Sequence, residues 1–165
     1  MPPSDKEGPV TLSVLDRLID QEPDRKLEPP MTRAQSLREL RAALRRDLEW
    51  LFNTRSSIEE PPESLREVER SVYNYGVHDT SSLYLRSPKD QDFLAKSIKT
   101  AITFFEPRLQ GVKVTIEPST DEVRGIHFSI EGLLRMDPAP EPVFFDTLLE
   151  PSSGEYKVKS TEHAR

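Results

Sequence analysis

Apolar residues recur with a helical period over the first two thirds of the chain and with a strand period after Pro107. Leu12, Leu15, Leu18 and Ile19 share one face of a short helix over Thr11–Asp20, with Thr11 as its cap. Leu37, Leu40, Leu44, Leu48 and Leu51 form a single stripe, which predicts a longer helix over Ser36–Phe52. Ser36 is the expected N-cap, Glu39 closes a capping box with it, and Asn53-Thr54 end the helix. A second capping box, Ser64-Leu-Arg-Glu67, opens a helix whose inner face is Leu65, Val68, Val72 and Tyr75, with Gly76 as its stop. A third helix starts at Ser87-Pro88, buries Phe93, Leu94, Ile98, Ala101, Ile102 and Phe105, and is halted by Pro107.

Beyond Pro107, Val112, Val114 and Ile116 alternate with polar residues, as do Ile126, Phe128 and Ile130. Gly132 marks an expected bulge in the second of these strands. Val143-Phe-Phe with Leu148-Leu149 gives a third strand, and Glu155–Lys159 a short fourth. The connections at Pro118–Glu122, Asp137–Glu141 and Pro151–Gly154 are short, which suits antiparallel neighbours. Helices first and strands later predict an α+β fold, with the N-terminal helices on one face of a small antiparallel sheet of about four strands. The expected organisation is a lead, short helix and proline-bearing tether over residues 1–35, one α+β domain over 36–160, and a tail over 161–165.

Composition narrows the function. The formal net charge of −6 disfavours binding to nucleic acid. There are no cysteines, so disulfides, thiolate metal sites and thiol catalysis are excluded. The polar N-terminus lacks the pattern of a secretory signal. No apolar run approaches the roughly 20 residues of a membrane span, so the expectation is a cytoplasmic protein without membrane insertion. His78, His127 and His163 share no ligand spacing and read as solvent-facing, so no metal and no cofactor is expected. Ser152-Ser153-Gly154 is a turn without the context of a nucleophile elbow.

The junction Glu106-Pro107-Arg108 carries the most chemistry. Proline favours extended neighbours, so Glu106 and Arg108 are expected to project together, opposite Pro107 and Leu109. Two roles are open to this pair: a clamp for a partner's backbone or ion pair, or an internal salt bridge at a helix stop. Arg38, Arg41 and Arg45 follow one flank of the long helix, either as a solvated flank or as a docking face for an acidic neighbour. Trp50 and Phe52 flank Leu51, so either one of them is exposed at a contact site or the helix end is broadly apolar.

A helix ending in apolar-Glu-Pro-Arg-Leu and followed by Val-x-Val resembles the signature of the phage-baseplate and TssE family of type VI secretion. Leu12-Ser-Val-Leu-Asp-Arg-Leu18, Arg45-Arg-Asp-Leu-Glu-Trp-Leu-Phe-Asn-Thr-Arg55, Asn74-Tyr-Gly-Val-His-Asp79 and Val143-Phe-Phe-Asp-Thr147 resemble further stretches of that family, in order. The resemblance implies a structural, non-catalytic subunit of the membrane-proximal baseplate. It implies docking on TssF and TssG, with TssK beside them, and a start for the sheath of TssB and TssC subunits. Glu106, Pro107 and Arg108 correspond to the family's wedge-docking motif. The strand Glu155-Tyr156-Lys157-Val158-Lys159 is the candidate for strand addition.

Two alternatives differ in class. One is a lysozyme-like peptidoglycan hydrolase, which needs a carboxyl of raised pKa in an apolar pocket and a second carboxylate close by. Glu106, after Phe104-Phe105, is its only candidate acid, and the adjacent Arg108 works against it. The other is a free-standing cytosolic adaptor, which leaves the ordered family-like stretches unaccounted for.

Overall fold

A computed structural model describes residues 10–19, 24, 31–57, 62, 64–80, 83–84, 87–117 and 125–160. Most of the expected lead and of the tether, the 118–122 connection and the tail with His163 lie outside them. The described chain falls into two compact units, one ending at Leu44 and one beginning at Arg45.

In the first unit, helix α1 covers Val14–Leu18. It is shorter than the leucine pattern suggests because Ser13, rather than Thr11, accepts a hydrogen bond from the Asp16 N–H as N-cap. Its Leu15, Leu18 and Ile19 are exposed. Helix α2, Arg33–Asn53, runs through both units and begins three residues before the predicted cap. The cause is a reciprocal cap one turn earlier. Thr32 Oγ1 accepts from the Gln35 N–H at 3.3 Å, and Gln35 Oε1 accepts from the Thr32 N–H at 2.9 Å. Ser36 is therefore helical and buried, donating to Arg33 O and accepting from the Val10 N–H.

The second unit is built on a four-stranded antiparallel sheet in the order β1-β2-β3-β4, as the alternating segments predict. Its strands are β1 Leu109–Ile116, β2 Ile126–Leu134, β3 Glu141–Glu150 and β4 Glu155–Ser160. Register aligns the apolar sets on one face: Val114 opposite Ile130 opposite Phe145, and Phe128 opposite Thr147 opposite Val158. Phe52 at the end of α2 rests on this face, with its ring 6.3 Å from that of Phe128 and 5.8 Å from that of Tyr156. The opposite face carries Lys113, Glu131, Asp146 and Lys159.

The bulge falls in the neighbouring strand. Gln110 pairs with Leu133 and Lys113 with Glu131, so Gly111 and Val112 together oppose Gly132. Gly111 holds φ +62°, the left-handed geometry such a bulge needs.

The helix predicted after Ser64 does not form at that length. Helix α3 is Arg66–Glu69, followed by a 3-10 turn at Val72–Asn74. Leu65 and Val72 are exposed, Val72 by 89%. With Leu65 and Val72 of its stripe left exposed, a short polar segment holds little more than a turn. The Ser71 hydroxyl then starts a separate turn by accepting from the Tyr73 N–H. Helix α4, Pro88–Phe105, agrees with the pattern: Leu94, Ile98, Ala101 and Ile102 are buried, while Phe93 stays half exposed.

Candidate functional site

Helix α4 makes its last hydrogen bond from the Glu106 N–H to Ile102 O, and the chain then reverses tightly. Leu109 N–H donates to Glu106 O at 3.1 Å, so Pro107 and Arg108 form the middle of a turn, with proline at the position its fixed φ favours. This corrects the expected extended geometry. Glu106 and Arg108 do meet, but across a turn, while Pro107 is exposed and Leu109 is buried as the first residue of β1.

The guanidinium of Arg108 grips Glu106 with two bonds: Nε to Oε1 at 2.6 Å and Nη2 to Oε2 at 2.5 Å. Nη2 also donates to Asp47 Oδ2 at 2.6 Å. Asp47 stands on α2 and accepts Arg46 at its other oxygen, with Nη2 to Oδ1 at 2.8 Å. Two carboxylates and two guanidiniums thus interlock the end of α2 with the α4–β1 corner. Glu106 is buried, at 5% exposure, and Arg108 is its direct counter-ion. The bond to Glu106 raises the Arg108 pKa above its ordinary value against the opposing effect of burial, and Asp47 adds to the rise. Tyr75 lies in the same field. Burial raises its pKa first, then the charges of Asp47 and Glu106, and its ring meets Phe105 edge-on at 5.2 Å.

Arg108 Nη1 makes no bond within the described residues and is not sealed from solvent. The corner therefore presents a rigid exposed proline beside a guanidinium that is braced on one side and keeps donors on the other.

In the other candidate strand, Tyr156 and Val158 point into the core and Glu155, Lys157 and Lys159 point outward. Lys157 pairs with Glu150 at 2.6 Å. Of the arginine flank, Arg38 and Arg41 belong to the first unit and Arg45 to the second. Arg45 bonds Val158 O at 3.3 Å and lies 3.5 Å from Glu49. At the helix end, Trp50 is the exposed aromatic, at 53%, covered on one side by Arg46 at 4.9 Å, and Phe52 is the buried one.

Asp47 and Asn53 are the residues that pattern reading passed over. Asp47 borders the buried positions Leu44 and Leu48. An acid at the margin of an apolar stripe is a signal that a cation must meet it. Asn53 looked like a helix stop, yet its side chain reaches Tyr156. His78 is exposed as expected, with Nδ1 3.4 Å from Ser56 Oγ. His127 is half-buried rather than solvent-facing, and its Nε2 is buried without a hydrogen-bond partner among the described residues. Among the described residues no group of three His, Asp or Glu side chains is placed to hold a metal, and no helix is long and apolar enough to cross a membrane.

Residues 38–139, well over half of the chain, match the family model described as baseplate wedge protein gp25. No curated protein matches the chain.

Proposed function

The chain belongs to the baseplate wedge protein gp25 family, which is the family of TssE, and from that premise we propose that it docks on the TssF–TssG core of a type VI secretion wedge and starts the sheath. A structural role in a baseplate follows from the family itself. The finer assignment, with TssF, TssG and TssK as wedge neighbours and TssB and TssC as the sheath subunits that add strands, is our reading. So is its place in the cytoplasm at the membrane-proximal baseplate.

One observation carries the docking assignment. Arg108 is held by Glu106 and Asp47 so that its Nη1 donors stay available beside exposed Pro107. A guanidinium immobilised by its own protein loses little side-chain entropy on meeting a partner's carbonyl or carboxylate. The same geometry argues against hydrolase chemistry at Glu106. Both of its oxygens accept hydrogen bonds from Arg108 and the side chain is buried, so neither oxygen is turned out toward a substrate.

The test is co-purification with TssF–TssG, comparing wild type with Pro107→Asp, which changes the presented surface without removing any member of the internal ion pairs. Wild type is expected to bind, and the variant to lose binding while its circular dichroism is unchanged. Failure of wild type to bind any wedge subunit overturns the docking assignment, and equal binding by the folded variant removes the corner from the interface.

A further inference from the structure

The two long edges of β4 are filled differently. Toward β3 it pairs by backbone, Glu155 with Glu150, Leu148 with Lys157 and Asp146 with Lys159. In an antiparallel pair, backbone groups alternate between facing the partner and facing away. The groups of Tyr156 face away, because its N–H donates to Asn53 Oδ1 at 2.9 Å and its C=O accepts from Asn53 Nδ2 at 2.8 Å. By the same alternation Val158 and Ser160 face away as well. Val158 O accepts from Arg45 Nη1 at 3.3 Å, whereas its N–H has no partner among the described residues.

One primary amide thus makes both bonds that a residue of a neighbouring strand would make to Tyr156. Asn53 follows the last buried aromatic of α2 and is itself exposed. Its Nδ2 also donates to Glu49 O at 2.9 Å, which aims the amide at the strand. Arg45, two turns earlier, supplies the next acceptor's partner.

We propose that Asn53 and Arg45 are removable stand-ins for a fifth strand, and that an extended segment of a sheath subunit displaces them to pair with Tyr156, Val158 and Ser160. This rests on the strand-addition reading above and adds its edge, its register and its control. The unpartnered Val158 N–H is the foothold. An incoming strand bonds there first, replaces the single long bond of Arg45, and last replaces the paired bonds of Asn53. Discrimination follows from that order. A segment must offer several backbone groups in register before it can exchange the Asn53 bonds without loss, so short or irregular segments are turned away.

Amide exchange by nuclear magnetic resonance tests this on the full chain. In Asn53→Ala the Tyr156 amide is expected to exchange about tenfold faster, the worth of one hydrogen bond, while Ile130 and Phe145 keep their protection. Adding cognate TssB–TssC to wild type is expected to protect the Val158 amide, hold Tyr156 protected and release the Asn53 side-chain amide protons. That second measurement needs no variant to fold. Unchanged Tyr156 exchange in folded Asn53→Ala overturns the stand-in. Sheath binding that leaves Val158 fast and the Asn53 amide in place also overturns it, while strand addition survives at another edge. If TssB–TssC protects no amide of the sheet, strand addition fails and the proposal with it. If Val158 becomes protected at high concentration of the chain alone, the occupant is a second copy and the assignment to the sheath is overturned.

Discussion

Arg108 makes its two carboxylate partners unequal. Glu106 is nearly sealed from water and has no other cation among the described residues, whereas Asp47 also has Arg46. Arg108→Ala strands a buried anion and is expected to cost about 2–3 kcal/mol in urea unfolding. Asp47→Ala leaves the inner pair closed and should cost about 1 kcal/mol. The double variant should cost less than the sum, since the bond from Arg108 to Asp47 is counted in both single variants. Loss of wedge binding in Arg108→Ala therefore has to be read beside its stability, which is why Pro107 is the cleaner probe. Tyr156 gives a second prediction. Its hydroxyl is buried without a hydrogen bond of normal geometry among the described residues. Burial pushes its pKa up to about 12, the charge of Asp79 adds to the rise, and Thr80 nearby opposes it. The folded state then holds its proton more tightly than the unfolded one, so this contribution is complete below pH 10 and is lost as pH rises from 10 to about 12. Tyr156→Phe should flatten that alkaline decline and leave stability at pH 7 within about 1 kcal/mol of wild type. At this scale the sequence showed that Glu106 and Arg108 meet, but it pointed to an extended stretch to bring them together, and a turn does so instead. Asp47 stayed hidden because its partner is 61 positions away, and periodicity says nothing about contacts between elements.

Elements were legible where burial and local signals agree. Helix α4 has a proline start, a proline-induced stop and a full apolar face, and the strands alternate over a buried sheet face. The segment after Ser64 had a capping box and apolar spacing but leaves Leu65 and Val72 exposed, so local preference gave one helical turn. Gly76 was legible as a glycine that matters, but as a helix stop, whereas its place is set by a crossing chain. It holds φ +121°, and an added Cβ would lie 2.3 Å from Thr54 O. The Val77 N–H donates to that same oxygen, and Ser56 N–H donates to Val77 O, fastening the exit of α2 to this segment. Gly76→Ala is expected to cost about 3 kcal/mol or more, combining backbone strain with a backbone clash. Thermal unfolding would show it, and a loss below about 1 kcal/mol would mean the two segments can part without consequence.

For the molecule as a whole, β4 is both core and edge. Tyr156 and Val158 lie in the apolar face against Phe52 and Phe128, so deleting residues 153–165 should remove several kcal/mol from a stability of typically about 5–15. Such a truncation is expected to lose cooperative unfolding as well as sheath assembly, and a folded, wedge-binding truncation would show that three strands suffice. The four-strand sheet could be anticipated from alternation, but not the side-chain cover on its last edge, because an asparagine after a helix is ordinarily only a terminator. The nature of that cover sets a clock. Had the edge been closed by a strand of the chain's own backbone, opening it would mean local unfolding, in microseconds or longer. An exposed asparagine and a half-exposed arginine let go by rotating about single bonds, within picoseconds to nanoseconds. Admission at β4 is then governed by how often a well-aligned segment arrives, and its rate should rise in proportion to the concentration of that segment without reaching a plateau.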